Sequence, residues 1–185
     1  NCSNSSTPSR IFNAYVKSGS KVVFRPVVAI EVANVKNGKS KKALAILDPG
    51  SDTTCVVKGL ANDLEFDCQS DDIEMSTVMK RSEMTRMESC NIKLQSIYDK
   101  DFSTSAKAIV VQQIPLDVSL TPSQVDIDAY PHLRDVIIHE ISPTPSEVEV
   151  LIGSDLAYTR TPEEDSVRRS GINQPTGYRT IWGWT

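Results

Sequence analysis

Apolar and polar residues alternate along much of this chain with a period of two, the mark of half-buried β-strands rather than helices. Over residues 22–35, Val28, Ile30 and Val32 fall on one face while Ala29, Glu31 and Ala33 fall on the other. Asn37-Gly38 follows. A type I′ turn needs positive φ at both central positions, so this pair predicts a two-residue hairpin. The return strand, residues 41–47, ends in the unbroken apolar run Ala43, Leu44, Ala45, Ile46, Leu47, which implies burial on both faces. It stops at Asp48-Pro49-Gly50-Ser51. Lys36, Lys39, Lys41 and Lys42 surround this hairpin and read as a solvated turn that protects a strand edge.

Further strands are predicted over residues 73–79, 89–97 and 106–114, separated by polar turns. Pro115, Pro122, Pro131, Pro143 and Pro145 interrupt any long element over residues 115–146. Val148, Val150 and Ile152 then alternate with Glu147, Glu149 and Leu151, giving a strand that ends at Gly153. Thr161-Pro162-Glu163-Glu164 has the form of a helix start, with a Thr cap, Pro at the first helical position and Glu closing a capping box. Arg168, Arg169 and Gly171 suit the end of that short helix. A last strand is predicted over residues 178–184, carrying both tryptophans. There is no internal repeat.

Composition narrows the function classes. The 185 residues, 39% hydrophobic and 24% charged, suit one globular domain over residues 21–185. Residues 1–20, rich in Ser, Asn and Thr, read as a flexible arm or linker. The chain opens on Asn1 rather than Met, as expected of a segment of a longer polypeptide. No run approaches the ~18 apolar residues of a membrane span and no leader is evident, so an intracellular, cytoplasmic setting without membrane partners is expected. A net charge of -4 argues against nucleic-acid binding, which needs a surplus of Lys and Arg.

Cys2, Cys55, Cys68 and Cys90 include no CxxC pair and have no His at zinc-ligand spacing, so no metal is expected. His132 and His139 are the only imidazoles, and no GxSxG-type nucleophile turn accompanies them. They read as surface histidines beside reduced cysteines. The glycosylation sequons at Asn1 and Asn4 lie in a Ser-rich stretch where composition alone produces them.

The informative stretch is Ala45-Ile46-Leu47-Asp48-Pro49-Gly50-Ser51-Asp52-Thr53-Thr54-Cys55-Val56. Asp-Pro-Gly is by itself an ideal β-turn. A carboxylate delivered by so apolar a strand, however, usually has a use or a partner. Far downstream a second apolar strand, Val150-Leu151-Ile152-Gly153, is followed by Ser154-Asp155. Together these resemble the retropepsin pattern. The longer match is similar to the aspartic peptidase domain of Pao/BEL-type retrotransposons, on "ALAILDPGSDTTCV", "AYPHLRDV", "VEVLIGSDLAY" and "SGINQPTGYRTIWGW".

The resemblance implies a mostly β, retropepsin-like closed barrel of the acid protease fold, one lobe per chain, with one or two short helices. It puts Asp48 on the catalytic aspartate, Gly50 on its glycine and Ser51 on a residue able to hydrogen-bond the carboxylate. Asp52 falls on the acidic position near the substrate main chain, and Ile152 and Gly153 on the strand supporting the loop. Two such carboxylates share one proton: one acts as general base on a water while the other donates to the substrate carbonyl, with no cofactor or metal. With one Asp-x-Gly and no repeat, the second carboxylate must come from another copy. The implied protein is a homodimer joined through the Asp48 loop and the terminal strands, acting on a peptide or polyprotein.

Pro49 departs from the pattern, in which Thr or Ser locks the two loops across the dimer axis. Proline supplies neither a hydroxyl nor an N–H. Two hydrogen bonds of ~1 kcal/mol each are lost, and a carboxylate displaced by ~1 Å costs about a hundredfold in rate. There is also no glycine between Gly59 and Gly153, where retropepsins carry a Gly-rich flap; this stretch holds Met75, Met79, Met84 and Met87, candidates for an adaptable substrate cleft. Two expectations follow. One is an aspartic endopeptidase that processes a retroelement-type polyprotein. The other is a catalytically impaired dimerisation or peptide-binding module in a domesticated protein.

Overall fold

The computed structural model describes residues 24–77, 80–141, 145, 147–172 and 174–185. The expected arm over residues 1–20, the first residues of the first predicted strand, and Val78, Met79 and Pro143 lie outside these. The elements are β1 (Val27–Ala33), β2 (Ser40–Leu47), β3 (Cys55–Val57), α1 (Lys58–Asp63), β4 (Gln69–Thr77), β5 (Lys80–Ser96) and β6 (Ser103–Val111). There follow α2 (Gln124–Asp128), β7 (Val150–Ile152), β8 (Val167–Arg168), β9 (Gly177–Thr180) and β10 (Gly183–Trp184). Turns of 3-10 helix occupy Val118–Leu120, Pro131–Leu133 and Ser154–Arg160.

The protein is mostly β. Seven strands form one sheet in the order β1-β2-β7-β3-β6-β5-β4, and β1 also pairs with β5, so every strand of this sheet but β4 belongs to a closed ring, while β8, β9 and β10 form a second, smaller sheet. β7 lies between β2 and β3, parallel to the first (Leu47↔Ile152) and antiparallel to the second (Cys55↔Leu151). Flanked on both edges and covered on both faces, β7 must be apolar throughout, and Val150, Leu151 and Ile152 are all buried. The same reasoning explains the apolar end of β2, whose last five residues are buried. Their neighbours in the core include Ile30, Val56, Ile92 and Leu94. β4 leaves the ring as a long hairpin with β5, paired from Gln69↔Ser89 to Thr77↔Lys80. No helix among the described residues is long and apolar enough to cross a membrane.

The two-residue Asn37-Gly38 turn does not form. Gly38 has φ +76°, but Asn37 is not in the positive region. Instead Asn34 donates its N–H to the carbonyl of Lys39 and accepts from Gly38, making a longer loop. Side chains decide it: Asn34 Nδ2 donates to the carbonyls of Leu64 and Glu65, and Asn37 Nδ2 also donates to Leu64, pinning the loop to the end of α1. The lysines are not merely solvated either. Lys36 pairs with Asp67 and Lys39 with Glu65, while Lys41 bridges Asp63 and the buried Glu149, each at 3.0 Å.

The helix predicted from Thr161 is absent. Glu163 is drawn across to Arg179, accepting its Nε on Oε2 at 2.7 Å and donating its own N–H to the Arg179 carbonyl at 3.0 Å. Arg179 returns its N–H to Ser166, and β8 pairs with β9, so the segment is used as sheet. The helices that do form, α1 and α2, lie elsewhere; α2 begins with a reciprocal Ser123–Asp126 capping box. The last predicted strand is also broken. Gly183, at φ +115°, lets β10 fold back on β9, with Trp182 buried edge-on against Phe102 at 5.2 Å. Trp184 packs with Ile127, Leu133 and Val136 under the guanidinium of Arg168. Both tryptophans are thus buried within this chain.

Candidate active site

Asp48 is the first residue past β2. Its N–H donates to the carbonyl of Ile152 at 3.0 Å, so the β2–β7 ladder runs one step further and seats the aspartate on the sheet. Gly50 then donates its N–H to Asp48 Oδ1 at 2.8 Å. A Cβ at position 50 would lie 3.2 Å from that same oxygen, so the glycine allows the turn to close on the carboxylate. Asp48 is half-buried, while Pro49, Gly50 and Asp52 are exposed.

The loop must then cross the end of β7 to reach β3, and the crossing is tight. A Cβ on Gly153 would lie 2.5 Å from the carbonyl carbon of Thr53 and 2.8 Å from its nitrogen. Two further bonds follow, Ser154 N–H to Ser51 O at 2.8 Å and Asp155 N–H to Asp52 O at 3.2 Å. The loop ends at Thr54, fully buried, which gives both its N–H (3.0 Å) and its hydroxyl (2.8 Å) to the Asp155 carboxylate. The Thr54 hydroxyl oxygen also accepts the Gly153 N–H at 3.3 Å.

The expected site residues Asp48, Pro49, Gly50, Ser51, Asp52, Ile152 and Gly153 therefore meet in one loop-and-strand unit. One expected role changes. The Ser51 hydroxyl does not bond the Asp48 carboxylate; it donates to Thr53 O at 2.8 Å and accepts from Thr53 N–H, because the turn aims it along the loop. The Gly50 amide is the carboxylate's donor instead. Among the described residues nothing bonds Asp48 Oδ2. The residues that sequence reasoning missed are Thr54 and Asp155. Their signal was a polar residue at each margin of an apolar strand, which acquires meaning once the strands are seen to be neighbours.

A second connection leads from Pro49. Its carbonyl faces the Ser154 hydroxyl at 3.5 Å, and Arg160 Nη2 donates to that hydroxyl oxygen at 3.0 Å. Cys55, just inside β3, is no nucleophile: burial first, then the Asp155 and Asp48 charges, push its thiol up to about 12. Of the four methionines, Met84 is exposed on the β4–β5 hairpin and Met87 packs against the core; the side chains of Met75 and Met79 lie outside the described residues. Among the described residues no three His, Cys, Asp or Glu side chains converge as metal ligands. No protein-family model matches the chain, and no curated protein sequence is significantly similar to it.

Proposed function

We propose that this chain is one lobe of a retropepsin-like aspartic endopeptidase, a closed β-barrel that acts as a homodimer on a peptide or polyprotein. The observation that carries this reading is the seating of Asp48: a carboxylate at the end of a buried strand, one oxygen on the Gly50 amide and the other open. A second copy brings its own Asp48 beside the first, and the pair shares a proton because two adjacent negative charges repel. One carboxylate removes a proton from water as it attacks the scissile carbonyl while the other protonates the carbonyl oxygen. The first proton then passes to the departing amine, and a hydroxyl of the tetrahedral intermediate returns a proton to the other carboxylate, restoring the shared proton and leaving a carboxylic acid. The β4–β5 hairpin, with Met84 exposed on it, is the element available to cover a substrate.

The test is cleavage of an unfolded protein substrate at about pH 5 by the wild type and by Asp48→Asn. Cleavage by the wild type alone is expected. Equal cleavage by both, or none by either, overturns the reading.

One observation favours the second reading, a dimerisation or peptide-binding module without useful proteolysis. Pro49 is exposed and has no hydroxyl or N–H to give a partner loop. Under this reading Pro49→Thr raises turnover by at least about tenfold from a low base. Under the endopeptidase reading the wild type is already active and the change is small.

A further inference from the structure

Cys68 immediately precedes β4, and the β4–β5 register places Gln69 opposite Ser89 and Ser70 opposite Glu88. Continued by one residue, that register puts Cys68 directly across from Cys90. Opposed residues of an antiparallel pair have Cα atoms about 4.5–5.5 Å apart, within the range a disulfide spans. Both cysteines are free thiols, Cys90 buried and Cys68 half-buried. From the register and the placement of these two thiols we propose that Cys68 and Cys90 form a reversible redox site, closing to an intrachain disulfide by exchange with a low-molecular-weight disulfide such as glutathione disulfide.

Three features around the pair assign an order to the chemistry. Cys68 is half-buried while Cys90 is buried, and a cleft of about 230 Å³ beside the pair is lined by Asp67, Gln69 and Cys90. The Lys58 ammonium, paired with Glu88 at 2.9 Å, also lies within electrostatic reach of the Cys68 sulfur. Cys90 is the opposite case. Burial first, then Cys68 beside it, push its thiol up to about 12.

Cys68 therefore reacts first. Its thiolate attacks one sulfur of glutathione disulfide, forming a mixed disulfide and expelling one glutathione thiolate. The Cys90 thiolate then attacks the Cys68 sulfur and expels the second. Two protein thiols are oxidised, one external disulfide is reduced, and the two cysteine protons end on the two glutathione molecules. The new bond staples the base of the β4–β5 hairpin, the element that extends beyond the ring. Cys55 takes no part: it is buried on β3, with β6 lying between it and Cys90 on β5.

The test is incubation of the folded chain with glutathione disulfide, followed by intact-mass measurement and peptide mapping. The wild type is expected to lose about 2 Da and to yield a Cys68–Cys90 cross-linked peptide that dithiothreitol reverses. Cys90→Ala is expected to stop at the mixed disulfide on Cys68, a gain of about 305 Da, and Cys68→Ser to leave Cys90 unmodified. Mapping of the wild type stands by itself if either variant fails to fold. A cross-link that uses Cys55 or Cys2 overturns the proposal. So does a folded wild type that stays reduced, or stays at the mixed disulfide, while the same chain cross-links in denaturant. None of these readouts depends on proteolytic activity.

Discussion

The Asp155 carboxylate accepts both the N–H of Thr54 (3.0 Å) and its hydroxyl (2.8 Å), across 101 positions of sequence. The residue after the Asp48 loop is thus held by the residue just beyond β7, and the loop is anchored at both margins of the strand it crosses. Hydrogen bonds to an ionised acceptor are roughly twice as strong as neutral ones, and Thr54 is fully buried. Asp155→Ala strands two buried donors and should cost about 2–4 kcal/mol in urea unfolding. Asp155→Asn keeps one acceptor oxygen and should cost about half of that. Equal stability of all three proteins would show the contact to be incidental.

Two glycines should respond oppositely to the same substitution. At Gly153 the added methyl meets Thr53 backbone at 2.5 Å, so Gly153→Ala must displace the Asp48 loop, at about 3 kcal/mol. At Gly59, inside α1, the methyl meets nothing within 4 Å, so Gly59→Ala should stabilise by about 0.5–1 kcal/mol. Thermal unfolding of the two variants beside the wild type checks both signs.

Lys41 is half-exposed, yet its ammonium serves the buried Glu149 at 3.0 Å, and the other Glu149 oxygen has no partner among the described residues. Lys41→Met therefore leaves a carboxylate stranded beside β7. The expected loss is about 2 kcal/mol, below the figure for a fully buried pair because Lys41 is partly solvated. Adding Glu149→Gln should recover most of it. A double-mutant cycle in which the two losses simply add would refute the coupling.

Stability should fall in alkali through Cys55. Its thiol, ordinarily near 9.0, is held up at about 12 by burial and by the charges of Asp155 and Asp48. Between those two pH values the native state keeps a proton that the unfolded chain has released. The contribution is therefore whole below about pH 9 and is lost as pH rises towards 12. Under reducing conditions, Cys55→Ala should flatten this part of the stability–pH curve. An unchanged slope would remove Cys55 as the source.

Much of the framework was legible in the residues. The patterned runs located β1, β2, β4, β6 and β7 to within several residues but only the second half of β5, whose residues 80–88 were read as a turn. Alternation records which side chains face the core, and the outer part of the β4–β5 hairpin has no core to face. Asp48, Gly50, Ile152 and Gly153 could be picked out, since a carboxylate and a glycine at the ends of apolar strands are locally conspicuous. The Ser51 hydroxyl was misassigned, because its direction depends on how the turn closes rather than on residue type. The helix expected from Thr161 had a sound local start, but its capping signals are worth only ~1 kcal/mol each, and the Glu163–Arg179 pairing across the chain prevailed.

By itself the sequence determined the strand character of the chain and the one carboxylate delivered by a buried strand. Both are written in short-range periodicity and in the scarcity of charge within apolar runs. Only the tertiary structure decided that β7 threads between β2 and β3, that Asp155 clasps Thr54, and that the terminal tryptophans are buried in their own chain. Those outcomes rest on contacts between residues far apart in sequence, whose worth exists only once loop closure has brought both partners together.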